Sequence, residues 1–354
     1  MFKERTLPLV ATIIVFVILY TYGAIEYKGF RDTLVFTNLL TDNAFLIVTA
    51  IGMTFVIISG GIDLSVGSMI AMIGVLLGFL ITGLGIHPVP AVLLALCVSV
   101  FFGAMMGIII AKFEIQPFIV TLAGMFLFRG LAYLINLNSV PIQHPFLTML
   151  AEIYIPLPGR GGFTFIALAM LLLLVLGMVL AKRTRFGMNV YALGGDKQSA
   201  RLLGVPVDAT TIKIYALSGF YSGAAGVVFA IYTGSGYPLA AVGVELDAIA
   251  AVVIGGTLLT GGVGFVFGAF LGSLIQGLIQ TLISFDGSLN SWWTKIAVGV
   301  LLLFFIFLQK GIVSYSRRYA SKKKRPNVTK MPSGDEEGSS LVNLSETGVK
   351  KPAV

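Results

Sequence analysis

The chain has few of the residues that carry out chemistry in enzymes. Among its 354 residues there are one cysteine and two histidines, and only 11% of the residues are charged. Cys97 lies in an apolar run without a second thiol, so no disulfide is expected. His87 and His144 have no other His, Cys or carboxylate at metal-ligand spacing nearby, and no nucleophile stands beside a base. These absences predict that the chain holds no metal site and no catalytic residues.

A phosphate-binding loop is also missing. No Gly-x-x-x-x-Gly-Lys-Ser/Thr motif occurs, and residues 194–199 lack the length and the preceding strand of such a loop. The triplet Ser59-Gly60-Gly61 is similar to an ATPase signature, but it ends an apolar span instead of opening a soluble helix. We therefore expect a chain that is not an enzyme, binds no cofactor and hydrolyses no ATP.

Apolar residues are what the sequence has in abundance. They make up 57% of the chain, and the mean hydropathy is +0.96. Runs of about 20 apolar residues match the ~30 Å thickness of membrane hydrocarbon. The expected fold class is therefore all-α, a polytopic membrane protein with about ten transmembrane helices, several of them short or broken. The expected spans are 7–25, 44–60, 64–84, 89–111, 117–136, 163–181, 212–233, 247–258, 263–285 and 293–310.

The net charge of +8 is concentrated near the ends of these spans. Residues 310–325 hold seven basic residues and no acid, and residues 182–213 hold six basic residues against two acids. Basic segments are retained on the cytoplasmic side of membranes, so this charge indicates orientation and not nucleic-acid binding. Counted from the basic N-terminus, ten crossings predict that both termini and the loop at about 182–211 are cytoplasmic.

Two of the expected spans end in glycine-rich breaks, which we call the first break (residues 60–65) and the second break (residues 255–262). Their sequences are Gly-Gly-Ile-Asp-Leu-Ser and Gly-Gly-Thr-Leu-Leu-Thr-Gly-Gly. Glycine-interrupted segments at corresponding positions in two halves of a transporter indicate a pathway lined by broken helices. The two breaks are either parallel copies of one unit or two unrelated tight turns.

Glycines and amides follow one ridge of the expected span 263–285. Gly264, Gly268 and Gly272 recur every four residues, a spacing that lets a neighbouring helix approach closely. Gln276 and Gln280 continue the ridge and face either a partner helix or a wet cavity. Amides in a wet cavity suit a sugar because they both donate and accept hydrogen bonds. The ridge predicts helix packing at the glycines, and either packing or carbohydrate contact at the amides.

Polar residues at the breaks extend this candidate pathway. Asp63 and Arg129 are costly in hydrocarbon, so we expect them to be paired, to cap a helix end or to face water. Asp63 is also suited to cap the helix that follows it, because Ser65 lies nearby. The candidate pathway residues are Asn43, Asp63, Gln276 and Gln280.

A charged island, residues 182–203, interrupts the apolar spans. Asp196 is placed to cap a helix at about 197–203, Gly204 to end it in a left-handed conformation, and Pro206 to block its continuation. Lys197 and Arg201 form a basic pair four residues apart, and Ala200, Leu202 and Leu203 supply apolar surface. A short amphipathic helix of this kind either lies at the lipid headgroups or fits a groove on a soluble partner.

Two stretches carry a family resemblance. Residues 191–205, YALGGDKQSARLLGV, and residues 52–68, GMTFVIISGGIDLSVGS, resemble the permease subunits of ribose-type ABC sugar importers, and the likeness extends over roughly residues 7–312. Within that family the chain is most similar to one of the two permeases of the bacterial galactofuranose importer. The supporting stretches are PIQHP at 141–145, VGVELDAIA at 242–250 and SWWTKIA at 291–297.

The resemblance implies one subunit of a machine in the bacterial inner membrane. Its partners would be ABC ATPase subunits that bind ATP and Mg²⁺, a second and related permease, and a periplasmic sugar-binding protein, with lipid around them. The helix at 197–203 would couple to the ATPase, so we call residues 182–211 the coupling loop. The implied cargo is galactofuranose, with ribose or another sugar as the alternative. The implied coupling residues are Gly194, Gly195, Asp196, Lys197, Ala200, Arg201, Leu203 and Gly204.

The expected domains are a transmembrane permease domain, residues 1–312, and a cytoplasmic tail, residues 313–354. The tail is basic and then rich in Ser, Gly and Glu, so disorder is expected. A self-powered secondary transporter or a channel is a second hypothesis and usually requires an intramembrane acid-base pair. Asp63 and Arg129 are a weak case for such a pair. A membrane-embedded enzyme is the third hypothesis.

Overall fold

The computed structural model describes residues 2–290 and 292–323, with side chains over 7–290 and 292–311. The predicted disordered tail lies outside the described residues from residue 324 onward. The chain forms two compact units, Met1–Val313 and Ser314–Val354, and the architecture below is that of the first. The helices are α1 Phe2–Glu26, α2 Thr33–Asp42, α3 Ala44–Ile58, α4 Val66–Gly78, α5 Pro88–Lys112, α6 Pro117–Ile135, α7 Pro145–Ala151, α8 Phe165–Arg183, α9 Arg185–Gly195, α10 Lys197–Leu202, α11 Val207–Thr233, α12 Val244–Ile254, α13 Val266–Asp286 and α14 Trp292–Lys323.

The strands are few and short. They are β1 Val140–Pro141, β2 Tyr154–Pro156, β3 Gly162–Thr164 and β4 Ser235–Gly236. β2 and β3 form an antiparallel hairpin between α7 and α8, and β1 pairs with β4 across the molecule. The predicted all-α class is therefore confirmed.

The number of long spans is lower than the predicted ten. Eight helices within the described ranges are long and apolar enough to cross a membrane. α2 and α3 are bent by 54° at Asn43 and form either a ninth, broken span or a re-entrant loop. The expected span 247–258 is wrong as a complete helical crossing, because α12 has eleven residues and is only ~16 Å long. It stops where the second break begins, and Gly256 there has a φ of +90°.

α3 lies at the centre of the molecule and is packed by α11, α12, α13 and α8. Every residue of α3 except Phe45 is buried. The outer helices α1, α5, α8 and α14 instead expose large apolar side chains such as Ile18, Phe101, Leu172 and Phe307. A folded protein in water would hide so much apolar surface, so these faces are suited to lipid.

The two histidines of the chain lie together, which the sequence analysis missed. Their ring centroids are 5.2 Å apart. The Nδ1 atom of His87 accepts a hydrogen bond from the Val89 N–H at the start of α5, and Nδ1 of His144 accepts from the Phe146 N–H at the start of α7. Both histidines are therefore helix caps.

Candidate functional site

A polar cavity of about 870 Å³, the main cavity, opens between α2, the start of α3, α12, α13 and α14. Asn43, Gln276 and Gln280 all line it, so the fold brings three of the four candidate pathway residues together. Asn43 is the residue between α2 and α3, and the two glutamines lie one turn apart on α13. Asp63 is not among the lining residues.

The amides are held in place by the backbone. The Asn43 side-chain amide donates to the Leu39 carbonyl (2.9 Å), and that of Gln276 donates to the Asp247 carbonyl (3.0 Å). These bonds leave the side-chain oxygens as acceptors. Gly277 makes the arrangement possible, because a side chain there would overlap the Asn43 amide. Gln280 is exposed in the cavity and is free to donate and accept.

Charged pairs in the cavity wall were missed by the sequence analysis. Lys295 contacts both carboxylate oxygens of Asp247, at 2.6 and 2.7 Å. The Tyr232 hydroxyl donates to Asp42 (3.0 Å). A looser pair, Arg160 with Asp32 at 3.7 Å, joins the tip of the β2–β3 hairpin to the start of α2. Nothing in the sequence signals pairs that are 48 to 190 residues apart.

The main cavity therefore combines amide, carboxylate, ammonium and hydroxyl groups on one surface. Thr294 adds a buried hydroxyl that has no hydrogen-bond partner among the described residues. The charged side chains that line the main cavity are mostly paired with one another. An ion of either sign would therefore gain little electrostatic free energy by binding there. The lining offers both donors and acceptors, which are the groups that the hydroxyls of a neutral solute bind.

Asp63 and Arg129 are paired with other groups. The Asp63 carboxylate accepts from the Ser65 N–H (2.9 Å) and hydroxyl (2.6 Å) and from the Ser218 hydroxyl (2.7 Å). Arg129 donates to the carbonyls of Ala240 (2.8 Å) and Pro238. Asp63 ties the first break to α11, and Arg129 ties α6 to the segment before α12. The geometry gives both residues structural contacts and places Asp63 away from the main cavity.

The coupling loop contains two helices, α9 and α10, which are separated by Asp196 in an extended conformation. The Asp196 carboxylate accepts from the Ser199 N–H (2.6 Å) and caps α10. The hydrogen bonds from the Ser199 side chain and backbone hold the pKa of Asp196 below its ordinary value, so the cap is ionised at neutral pH. Gly204 follows with a φ of +80° and ends the helix. The cap, the helix and the left-handed glycine all lie where the sequence predicts them.

The tip of the coupling loop presents apolar side chains to solvent. Leu202 is 89% exposed and Leu203 82% exposed, whereas Ala200 is buried against the protein. Behind them, Arg201 pairs with Asp208 at 3.5 Å and Lys112 pairs with the same carboxylate at 3.7 Å. Two adjacent, nearly fully exposed leucines on a capped helix are typical of a surface that fits a groove on a partner.

The base of the coupling loop contacts the end of α3 and the second break at one point, which we call the glycine junction (Ile58, Gly194, Gly261 and Gly262). The Gly262 N–H donates to the Ile58 carbonyl (2.8 Å), which closes α3 onto the second break. Gly194 packs so tightly on that carbonyl that any side chain would overlap it. Gly261 and Gly262 have φ values of +83° and +76°, and a side chain at either position would crowd the Gly194 carbonyl. Nearby, the Tyr191 hydroxyl donates to the Gly264 carbonyl (2.8 Å).

The glycine ridge of α13 faces α12. A side chain at Gly268 would overlap the Gly255 carbonyl, and one at Gly272 would overlap the Ala251 carbonyl. Gly264 precedes the helix and lies against Thr257. Because the backbones of α12 and α13 are in direct contact at these glycines, the distance between the two helices is fixed. This distance places Gln276 within hydrogen-bond range of the Asp247 carbonyl.

The main cavity and the glycine junction are joined by two helices. α3 begins next to Asn43 in the cavity and ends at Ile58 in the junction. α13 begins just after the junction and ends at cavity residues Ser284 and Phe285. A displacement of the coupling loop therefore reaches the cavity through rigid elements.

Comparison with known proteins gives a family. Residues 35–306 match the family described as "Branched-chain amino acid transport system / permease component". The inner membrane ABC transporter permease protein YjfF of Escherichia coli K12 is 53% identical over 326 residues, which cover 92% of this chain and 98% of that protein. The fructose import permease protein FruG of Bifidobacterium longum is 34% identical, covering 88% and 93%. The ribose import permease protein RbsC of Bacillus subtilis is 37% identical, covering 83% and 90%.

No solved structure matches the chain. The matched range 35–306 includes the coupling loop, both breaks and all residues that line the main cavity except Gly29, Asp32 and Leu34. It covers well over half of the 354 residues. The chain therefore belongs to the permease components of this family of transport systems, and it is a membrane transport subunit.

Proposed function

We propose that the chain is a permease subunit of an ABC importer that carries a monosaccharide across the bacterial inner membrane. The observation that carries the proposal is the main cavity, whose paired charges and free Gln280 amide suit a neutral, hydroxyl-rich solute. Support comes from relatives named as permeases for fructose and ribose import. The exposed leucine tip of the coupling loop supplies a docking point for the ATPase.

In this proposal the chain contributes one wall of the pathway. A second, related permease faces the main cavity, and a periplasmic binding protein delivers the sugar to it. The ATPase partner binds ATP and Mg²⁺ and holds α10 in a groove. When its nucleotide sites close, α10 moves, and the glycine junction passes that movement to α3 and α13. Coupling requires only that the groove fit α10 differently in two ATPase states.

The cargo that we propose is galactofuranose, on the resemblance of residues 141–145, 242–250 and 291–297 to one galactofuranose permease. Lys295 and Asp247, which form the ion pair in the cavity wall, both lie in those stretches. Ribose is the alternative, supported by the ribose permease among the relatives. Both sugars offer a ring with several hydroxyl groups, so the cavity chemistry accommodates either one.

The test is uptake into proteoliposomes that contain the purified importer, with its binding protein outside and ATP inside. Crystalline D-galactose dissolves as the pyranose, and the furanose form appears only as the solution equilibrates. We expect uptake of labelled galactose to be faster from an equilibrated solution than from a freshly dissolved one. Equal rates would contradict a furanose cargo, and faster uptake of labelled D-ribose would favour the alternative. Transport that persists without ATP would instead support a secondary transporter.

We predict that Gln280→Leu lowers the initial rate of sugar uptake about tenfold, the effect of losing one or two hydrogen bonds to the solute. Gln280 is exposed in the main cavity, so the substitution removes no structural contact. The control is Gln143→Leu, which changes an exposed glutamine outside the cavity. The measurement is uptake by membranes that contain equal amounts of each variant. Normal uptake with Gln280→Leu would remove this residue from the pathway.

A further inference from the structure

A second, smaller cavity of about 260 Å³ lies beside the coupling loop. Its walls come from the end of α3 with the first break, from the turn between α5 and α6, from the coupling loop and from α11. It shares no lining residue with the main cavity. Its volume holds about nine water molecules, or a single sugar ring with its hydroxyl groups. The pathway through the main cavity does not account for it.

A buried tyrosine at the inner wall indicates a ligand. Tyr215 lines the second cavity and is 1% exposed, and its hydroxyl has no hydrogen-bond partner among the described residues. The hydroxyl lies beside Gly61, where a side chain would overlap it. Tyr221, two turns further along α11, shows the usual arrangement, because its hydroxyl donates to the Leu173 carbonyl (3.1 Å). A buried hydroxyl without a partner costs free energy that a bound polar molecule would recover.

Polar side chains line the mouth of the second cavity. Gln116 precedes α6 but does not use its side chain to cap the helix. Glu114, in the same turn, has a φ of +51°, a left-handed conformation that residues other than glycine rarely adopt. This turn places an amide and a carboxylate in the cavity lining. The hydroxyl groups of Ser59 and Thr211 also line the cavity, and because they donate to the Val56 and Val207 carbonyls, they are left as acceptors.

The charges around the second cavity favour a neutral ligand. Lys197 is the cation among the lining residues, and Glu114 and Asp208 are the anions. Asp208 also holds Lys112 and Arg201. A phosphate or another anion would face both carboxylates, whereas a sugar hydroxyl donates to a carboxylate and accepts from an amide or an ammonium group. The cavity therefore suits a polyhydroxylated molecule such as the one we propose as cargo.

We propose that the second cavity binds the imported sugar on the cytoplasmic side and slows further import when that sugar accumulates. The inference rests on the proposed function. Leu193 and Lys197 of the coupling loop form one wall, and Ser59 and Gly60 next to the glycine junction form another. A movement between these walls changes the shape of the cavity. A sugar that fits only one arrangement stabilises it and opposes the movement that ATP drives.

The experiment compares uptake into proteoliposomes whose lumen contains ATP and either millimolar D-galactose, D-ribose or sucrose. We expect the luminal cargo sugar to lower the initial rate of the wild-type importer about fivefold relative to luminal sucrose. Tyr215→Phe and Gln116→Leu should transport normally with luminal sucrose but resist this inhibition. Tyr221→Phe is the matched control, because it removes a hydroxyl from the same helix outside the cavity, and it should be inhibited like the wild type.

Two results would overturn the inference: wild-type uptake that is unaffected by luminal sugar, and inhibition of Tyr215→Phe and Gln116→Leu as strong as that of the wild type. Failure of the proposed function looks different, because neither sugar then enters sucrose-loaded vesicles. In that case, equilibrium dialysis of labelled D-galactose and D-ribose against the purified importer without its binding protein still tests the site. Binding that is lost in Tyr215→Phe and kept in Tyr221→Phe supports the second cavity, and equal or absent binding contradicts it.

Discussion

Gly194→Ala should abolish sugar uptake. A methyl group at this position overlaps the Ile58 carbonyl oxygen, which already accepts the Gly262 N–H. Neither neighbour is a flexible side chain that can move aside, so the coupling loop must separate from the end of α3 and the second break. Forcing backbone apart in a packed site costs at least about 3 kcal/mol. The measurement is ATP-driven uptake together with the ATPase activity of the assembled importer.

Gly195→Ala is the matched control for this prediction. Gly195 is adjacent in the chain and also ends α9, but a methyl group there meets no atom within 4 Å. We expect near-normal uptake from this variant. Detergent-solubilised size-exclusion profiles show whether Gly194→Ala is still folded and assembled. A Gly194→Ala importer that transports like Gly195→Ala would show that the glycine junction has no role in transport.

The double variant Leu202→Asp, Leu203→Asp should lose the ATPase partner. These side chains are almost fully exposed, and in an ATPase groove each would bury apolar surface worth about 1.5–3 kcal/mol. Aspartate removes that gain and adds the cost of burying a charge. We expect ATPase recovery in a pull-down through the tagged permease to fall at least a hundredfold, and uptake to stop.

The fold of the permease itself should survive this change. Neither leucine contributes to the core, whereas Ala200 on the opposite side of α10 does. The matched control is Leu134→Asp, which changes a leucine that is 82% exposed at the far end of α6. It should retain the ATPase in the pull-down. Retention of the ATPase by the double variant would favour the alternative in which α10 lies at the lipid headgroups.

The predictions about α10 succeeded because its determinants are local. An aspartate three residues before a free N–H group, a left-handed glycine and a proline act within one turn of chain, so spacing alone specifies them. The determinants of the membrane class are also local, because the length and composition of a single apolar run decide whether it can cross the bilayer. The short span at 247–258 was misjudged because hydropathy measures apolarity and not helix length.

The cavities and the junction depend on distant parts of the chain. Lys295 pairs with Asp247, and Tyr232 donates to Asp42. The Tyr215 hydroxyl has no hydrogen-bond partner within the described part of the chain, although nothing in the sequence distinguishes this tyrosine. Asp63 was grouped with the pathway amides because it is a polar residue at a predicted break. Only the packing of α11 brings the Ser218 hydroxyl within hydrogen-bond distance of the Asp63 carboxylate.

The sequence by itself determined that this is a polytopic helical membrane protein with a capped helix in its largest charged loop, and that no phosphate-binding loop is present. Those properties arise from composition and from contacts within a few residues. Only the tertiary structure decided that Gly194, Gly261 and Ile58 meet at one point, and that Asn43, Gln276 and Gln280 face one cavity. Contacts between residues that are far apart in the sequence depend on the packing of the long helices. That packing is the result of many small contacts that form together.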